Sequence, residues 1–69
     1  MKISYDPEAD ALYIEFQEGT AAKTKEVEEG ILIDLDDKGK LLGIEVIGVK
    51  ERMSLKELGQ ISLDLPVGV

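Results

Sequence analysis

The sequence predicts an α+β domain whose main element is a mostly antiparallel sheet of five to six strands, built from two hairpins, with one short helix near the C-terminus. Apolar residues alternate with polar ones along most of the chain, which is the period of a strand with one buried face. Turn residues divide this alternation into two hairpins. A capping sequence near the C-terminus predicts the helix. The 69 residues suffice for one domain, residues 1–69, with a thin core.

The first hairpin covers residues 3–16. Ile3 and Tyr5 alternate with polar residues in the first strand, and the second strand continues this pattern at Leu12, Ile14 and Phe16. Residues 6–10 between them read Asp-Pro-Glu-Ala-Asp. Aspartate hydrogen-bonds its own backbone and proline fixes φ, so this segment predicts a turn.

A charged segment and a second hairpin follow. Residues 22–27 predict an edge strand, because their lysines and glutamates discourage pairing with another molecule. Residues 31–35 alternate as the fourth strand, residues 37–40 form a turn, and residues 41–49 return as the fifth strand. This last strand has apolar residues on both faces, which predicts cover on both sides.

The predicted helix begins at Ser54. Ser54 and Glu57 form a capping box, and Gly59 closes the helix through a left-handed cap. Apolar residues then alternate again at Ile61, Leu63 and Leu65. This tail predicts either a short sixth strand or an extended arm.

The two hairpins share one pattern when the sequence is shifted by thirty residues. Duplication of a hairpin would explain this, and so would the general likeness of amphipathic hairpins. If Asp6 and Asp36 do the same work, we expect each to hydrogen-bond the backbone of its own turn. The matched positions are Ile3 and Ile33, Tyr5 and Leu35, Asp6 and Asp36, Leu12 and Leu42, Ile14 and Ile44, Glu15 and Glu45, and Phe16 and Val46.

Residues 34–45 come close to a calcium-binding loop. Lys38 stands at the fifth position, where an oxygen ligand belongs, and strands flank the segment where helices are required. We therefore expect a hairpin turn with Gly39 in the left-handed conformation. A looser cation site, in which the carboxylates of the two turns meet, is the alternative. Its members would be Asp6, Glu8, Asp10, Asp34, Asp36 and Asp37.

Composition argues against several functions. The chain has no His and no Cys, so the commonest general base, the most reactive nucleophile and the usual zinc ligands are missing. We expect no enzyme, no catalytic residues, no cofactor and no metal. The net charge of −7 disfavours nucleic acid and anionic membranes. With no signal peptide or membrane-spanning run, we expect a cytoplasmic protein.

Three segments together resemble the domain of unknown function 2283 family. They are Tyr5-Asp6-Pro7-Glu8-Ala9-Asp10-Ala11-Leu12-Tyr13-Ile14, Gly30-Ile31-Leu32-Ile33-Asp34-Leu35-Asp36 and Gly39-Lys40-Leu41-Leu42-Gly43-Ile44-Glu45-Val46. The resemblance covers residues 1 to about 50. It implies a compact prokaryotic sheet protein without an assigned activity, and for some members an antitoxin-like role. It implies no catalytic residues.

We expect a non-enzymatic protein-interaction module that acts as a homodimer, because the chain has more apolar surface than it can cover. One alternative is an antitoxin-like inhibitor of a small basic toxin, which residues 26–29 and the carboxylates of the two turns would attract. Another is a cation- or small-ligand-binding domain. The apolar residues in surplus are Leu32, Leu41, Ile47, Val49, Ile61, Leu63 and Leu65.

Overall fold

The computed structural model describes residues 1–68 and contains one sheet and two short helices. This arrangement confirms the α+β class. No helix among these residues is long and apolar enough to cross a membrane. The elements are β1 (Lys2–Asp6), β2 (Ala11–Glu15), β3 (Lys23–Glu28), β4 (Ile31–Leu35), β5 (Leu41–Ile47), α1 (Val49–Arg52) and α2 (Leu55–Leu58).

The five strands form a sheet in the order β1-β2-β5-β4-β3, and all neighbours are antiparallel. The charged strand β3 lies at one edge with every residue exposed, which confirms the predicted edge strand. Its register shifts between Glu26 and Glu28, where the strand bulges. Charge and a bulge both protect this edge from pairing with another chain.

The thirty-residue repeat corresponds to an approximate two-fold axis normal to the sheet. Ile14 of β2 pairs with Ile44 of β5, and their outer neighbours in the same row are Ile3 and Ile33. A half-turn about the midpoint of the Ile14–Ile44 pair carries each residue of the first hairpin to the residue thirty positions later. The two buried leucines of the sheet, at positions 12 and 42, are related in this way.

The two aspartates of the repeat do the same work. Asp6 Oδ1 accepts hydrogen bonds from the amides of Glu8 at 3.0 Å and Ala9 at 3.3 Å. Asp36 Oδ1 accepts from the amides of residues 38 and 40, at 2.9 and 2.8 Å. The prediction that each caps the backbone of its own turn is therefore confirmed.

The end of β5 differs from the prediction. The strand stops at Ile47, because Gly48 adopts a left-handed φ of 75° and turns the chain. Val49 then begins α1 and is completely buried. The prediction that Val49 belongs to the fifth strand and adds to the uncovered apolar surface is wrong, and the sequence did not predict α1.

The predicted helix at Ser54 is present as α2. The Ser54 hydroxyl accepts a hydrogen bond from the Glu57 amide at 3.1 Å, which is one of the two bonds of a capping box; the reciprocal bond to the Glu57 carboxylate is absent among the described residues. Gly59 ends the helix in the right-handed region, so the predicted left-handed cap is wrong. Of the two alternatives for the tail, the structure has the arm: residues 60–68 form no strand and are all exposed.

The interior is small. Among residues 1–68, the buried apolar side chains are Leu12, Leu42 and Val49, and of these Val49 alone is completely buried. The radius of gyration of 13.5 Å exceeds the value of about 11 Å expected for a compact domain of this length. The dimensions are 36 × 36 × 19 Å, so the protein is a thin layer with a projecting tail.

Gly43 lets a side chain cross the central strand. The Tyr13 hydroxyl of β2 donates to Asp34 Oδ2 of β4 at 2.8 Å, and β5 lies between these two strands. A Cβ atom at Gly43 would overlap the Tyr13 ring and hydroxyl and would lie 2.8 Å from the Ile14 carbonyl oxygen. The position therefore requires glycine.

We predict that Gly43→Ala lowers the free energy of unfolding by about 2 to 3 kcal/mol, because it displaces Tyr13 and breaks its hydrogen bond. Thermal denaturation would show a midpoint lower by about 10 °C or more. Gly59→Ala is the matched control, since its Cβ would meet nothing closer than 3.6 Å. Equal midpoints for the two variants would contradict the prediction.

Candidate functional site

One face of the sheet carries nearly all of its apolar side chains. Directly paired residues on neighbouring strands share a face, so the register assigns each side chain. We call this surface the apolar face. Its members are Ile3, Tyr5, Leu12, Ile14, Ile31, Ile33, Leu35, Leu42, Ile44 and Val46.

The chain covers the apolar face incompletely. Leu12 and Leu42 are buried, with 7% and 4% of their surface exposed, and Gly19 in the loop after β2 lies against the Leu42 side chain. Ile3 is 36% exposed, and the other members are half-buried. The helix α2 contributes no buried residue. Most members of the face thus keep part of their surface exposed.

The helix α1 lies across one end of the sheet and is held at both of its own ends. The carbonyl oxygen of Asp10, in the β1–β2 turn, accepts from the amides of Gly48 and Val49 at 3.0 and 3.2 Å. At the other end, the Arg52 guanidinium donates to the carbonyl oxygens of Ile47 and Glu29, at 3.0 and 2.5 Å. This helix therefore joins the β1–β2 turn to the β3–β4 turn.

The Asp10 carboxylate organises this end. Among residues 1–68, Asp10 is the single non-glycine residue with positive φ, at 51°. Oδ1 accepts the Tyr5 hydroxyl at 2.6 Å, and both carboxylate oxygens accept from the Lys50 amide. The hydrogen bond from the Tyr5 hydroxyl lowers the pKa of Asp10 most. The hydrogen bond from the Lys50 amide and the positive charge of Lys50 lower it further. The same bond raises the pKa of Tyr5 to about 12.

The opposite face is polar and internally bonded. Asp34 accepts the Tyr13 hydroxyl through one oxygen and the Thr24 hydroxyl, at 2.6 Å, through the other. The bond to Asp34, followed by partial burial, raises the pKa of Tyr13 to about 12. Leu32 and Ile47 are the larger apolar side chains that the register places on this face.

A shallow acidic depression of about 820 Å³ lies beside the β3–β4 turn. One of its carboxylates, Glu26, accepts the Gly30 amide at 3.3 Å, and its one guanidinium, from Arg52, is bonded to backbone carbonyls. It is an acidic surface that also includes the apolar residues Ile31 and Ile47. The lining residues are Glu26, Glu28, Glu29, Gly30, Ile31, Ile47, Gly48, Glu51 and Arg52.

The two carboxylate turns do not meet. The predicted looser cation site, which required them to lie together, is therefore wrong. The topology places residues 6–10 and residues 36–40 at opposite ends of the sheet. The strand β5 between these ends is about 20 Å long. No three His, Cys, Asp or Glu side chains of residues 1–68 are placed to hold a metal ion. Residues 34–45 form a hairpin with Gly39 at a φ of 82°, as predicted.

The predicted surplus of apolar surface is largely present. The sequence analysis took the alternating apolar residues of the two hairpins to be a buried face, and so did not predict that this face stays partly exposed. The signal that could have revealed it was length, since one short helix cannot cover five strands. Leu32 is half-buried, while Leu41, Ile47, Ile61, Leu63 and Leu65 are exposed.

A family model described as a protein of unknown function (DUF2283) matches residues 2–50, more than two thirds of the chain. The matched range contains all five strands and stops inside α1. Neither a curated protein nor a solved structure matches the chain.

We predict that both tyrosines of the native protein ionise near pH 12, against about 10 for the unfolded chain. Because the folded pKa values are raised, the stabilisation is complete below pH 10 and is lost as the pH rises towards 12. Phenolate absorbance during an alkaline titration measures the tyrosine pKa values, in buffer for the native protein and in urea for the unfolded chain.

The control for that titration is Asp34→Ala. It should return one tyrosine towards pH 10, because the Tyr13 hydroxyl loses its acceptor while the bond from Tyr5 to Asp10 is kept. Native ionisation of both phenols near pH 10 in the unmodified chain would contradict the assignment.

Proposed function

The chain belongs to the DUF2283 family, and we propose that it is a non-enzymatic protein-interaction module that acts as a homodimer through its apolar face. One observation carries this proposal. The face presents a continuous apolar surface, yet only Leu12, Leu42 and Val49 are buried among the described apolar side chains. Such a chain gains stability when a second layer removes the face from water.

The centre of the apolar face suits packing against another sheet. The row Ile3-Ile14-Ile44-Ile33 crosses four strands without a charged side chain. β-Branched side chains on two such surfaces interdigitate when sheets stack about 10 Å apart. Obligate dimer interfaces have this composition and resemble a domain core cut in half.

The distribution of charge supports a second copy of this chain as the partner. With a net charge of −7, two copies repel unless their carboxylates stay in solvent. Face-to-face packing meets this condition, because Asp34 and Glu45 project from the opposite face. The charged side chains that the register places on the apolar face are Lys23, Lys25 and Glu28, and all three lie at its β3 border, where they can stay in solvent.

The absence of enzymatic activity in this proposal rests on residue types. The chain contains no His and no Cys. Its groups with shifted pKa values, Tyr5, Asp10 and Tyr13, are bonded within the sheet and its turns. Those bonds account for the shifts without a catalytic role.

We predict that Ile3→Glu weakens the dimer by about tenfold or more, because it places a carboxylate in an apolar interface. Ile47→Glu is the matched control: it is an isoleucine of similar exposure, 44% against 36%, on the opposite face. Sedimentation velocity over a range of micromolar concentrations measures both variants. A monomeric unmodified protein, or equal weakening by the two substitutions, would contradict the proposal.

A second candidate function is recognition of a small basic protein, as an antitoxin-like inhibitor. All residues of β3 are exposed, and its carboxylates continue around the acidic depression to Glu51. Clustered charge at an exposed edge accelerates binding of an oppositely charged partner.

For this candidate, the basic product of a neighbouring gene would be co-expressed with the chain. The double variant Glu28→Gln, Glu29→Gln should slow association several-fold at low salt, because it removes steering charge from the depression. Glu18→Gln with Glu57→Gln gives the same change of charge at other exposed positions and is the control. Failure to form a complex, or equal effects of both double variants, would exclude this role.

A further inference from the structure

We propose that the C-terminal arm, residues 60–68, docks on β1 and the adjoining apolar face of a second copy, so that each copy of the dimer completes the other. This inference rests on the proposed homodimer and assigns a role to a segment that the fold itself leaves unused. The arm would act as an exchanged sixth strand.

The arm has the alternating sequence of a β-strand but is not paired with any strand of the sheet. Ile61, Leu63, Leu65 and Val67 alternate with polar residues or proline and are 58%, 73%, 66% and 106% exposed. The Gln60 amide donates to the Glu57 carbonyl oxygen, and beyond it no amide of residues 61–68 donates to the described chain. Both its apolar stripe and its backbone are therefore available for pairing.

The area of the arm matters for the dimer. Its four apolar residues expose about three whole side chains, on the order of 500 Å², as much as the largest apolar patch of a typical monomer. The sheet members of the apolar face are mostly half-buried by one another. Face-to-face contact therefore removes from water the part of these side chains that is still exposed. Adding both arms brings the total towards the 1,200 to 2,000 Å² of a stable interface.

The direction of the chain favours a second copy as the receptor. The helix α1 begins beside Asp10 in the β1–β2 turn, and the Arg52 side chain at its end reaches Glu29 in the β3–β4 turn, so α1 runs away from β1. The arm then projects, and the protein extends 36 Å in two directions although its longest strand covers only about 20 Å. In a two-fold dimer each copy makes the same contact with the other. Both arms would therefore be exchanged, and both apolar faces would gain cover.

The two edges of the sheet differ in how they receive a strand. The edge at β3 carries four charged side chains and a bulge, which oppose pairing. The edge at β1 carries Ile3 and Tyr5 on the apolar face, with charges only at its two ends. Residues 61–65 match β1 in length, and Pro66 ends the added strand. A strand added there continues the apolar face by one more row.

The first test measures the dimer dissociation constant by sedimentation for two neighbouring substitutions of equal charge. Leu63→Asp should raise it by about tenfold or more, and Ser62→Asp by less than about twofold, because only the leucine belongs to the apolar stripe. A chain that ends at Gly59 should be weakened at least as much as Leu63→Asp. If the unmodified chain dimerises and the shortened chain dimerises equally well, the arm has no role while the homodimer stands. If the unmodified chain is a monomer, the homodimer itself fails.

The second test locates the arm. Because the chain has no cysteine, Val67→Cys accepts a single nitroxide label. Mixing this labelled chain with a nitrogen-15 chain that has no label should broaden the amide signals of Ile3 and Tyr5 in the latter. Broadening confined to the chain that carries the label, measured in an excess of unlabelled protein, would place the arm on its own sheet and overturn the proposal. Broadening across copies at β3 would overturn the choice of edge.

Discussion

The antiparallel pairing of β2 with β5 is the contact on which the rest of the structure depends. It joins the two hairpins at their inner strands and brings Ile14 opposite Ile44. This register makes the thirty-residue repeat of the sequence a two-fold relation in space. It places β1 and β3 at the edges and sends the two aspartate turns to opposite ends. A slip of one residue would reverse every side chain of one hairpin relative to the other and divide the apolar face.

The polar side chains serve the fold in ways that leave the apolar face free. Asp6 and Asp36 cap their turns, while Asp10 fastens α1 to the end of the sheet. Asp34 binds hydroxyl groups from two other strands across the polar face. Each of these carboxylates has a hydrogen-bonded role at a turn, at a sheet end or on the opposite face. The apolar face has no such hydrogen-bonded role, and this is what supports the proposed association.

A thin core links association to stability. Small single-layer domains bury little apolar area and keep only a few kcal/mol of net stability. Binding that occurs only in the folded state adds to that stability by mass action. Dimerisation of this chain would therefore raise its free energy of unfolding. The arm fits the same logic, because a segment that is exposed in the monomer and covered in the dimer favours the associated state. The family match ends inside α1, so the sheet belongs to the shared pattern and the arm lies beyond it.

The sequence by itself determined most of the local structure of this protein, although not α1. Period-two alternation predicted five strands, turn residues predicted the positions of both hairpin turns, and Ser54 predicted the start of α2, because these features depend on neighbours within a few residues. The tertiary structure alone decided the strand order, the burial of Val49 and the separation of the two carboxylate turns. It also decided that the apolar stripes of both hairpins lie on one open face. These features depend on which strands pair across the sheet, and an alternating pattern specifies the buried side of a strand but not the strand beside it.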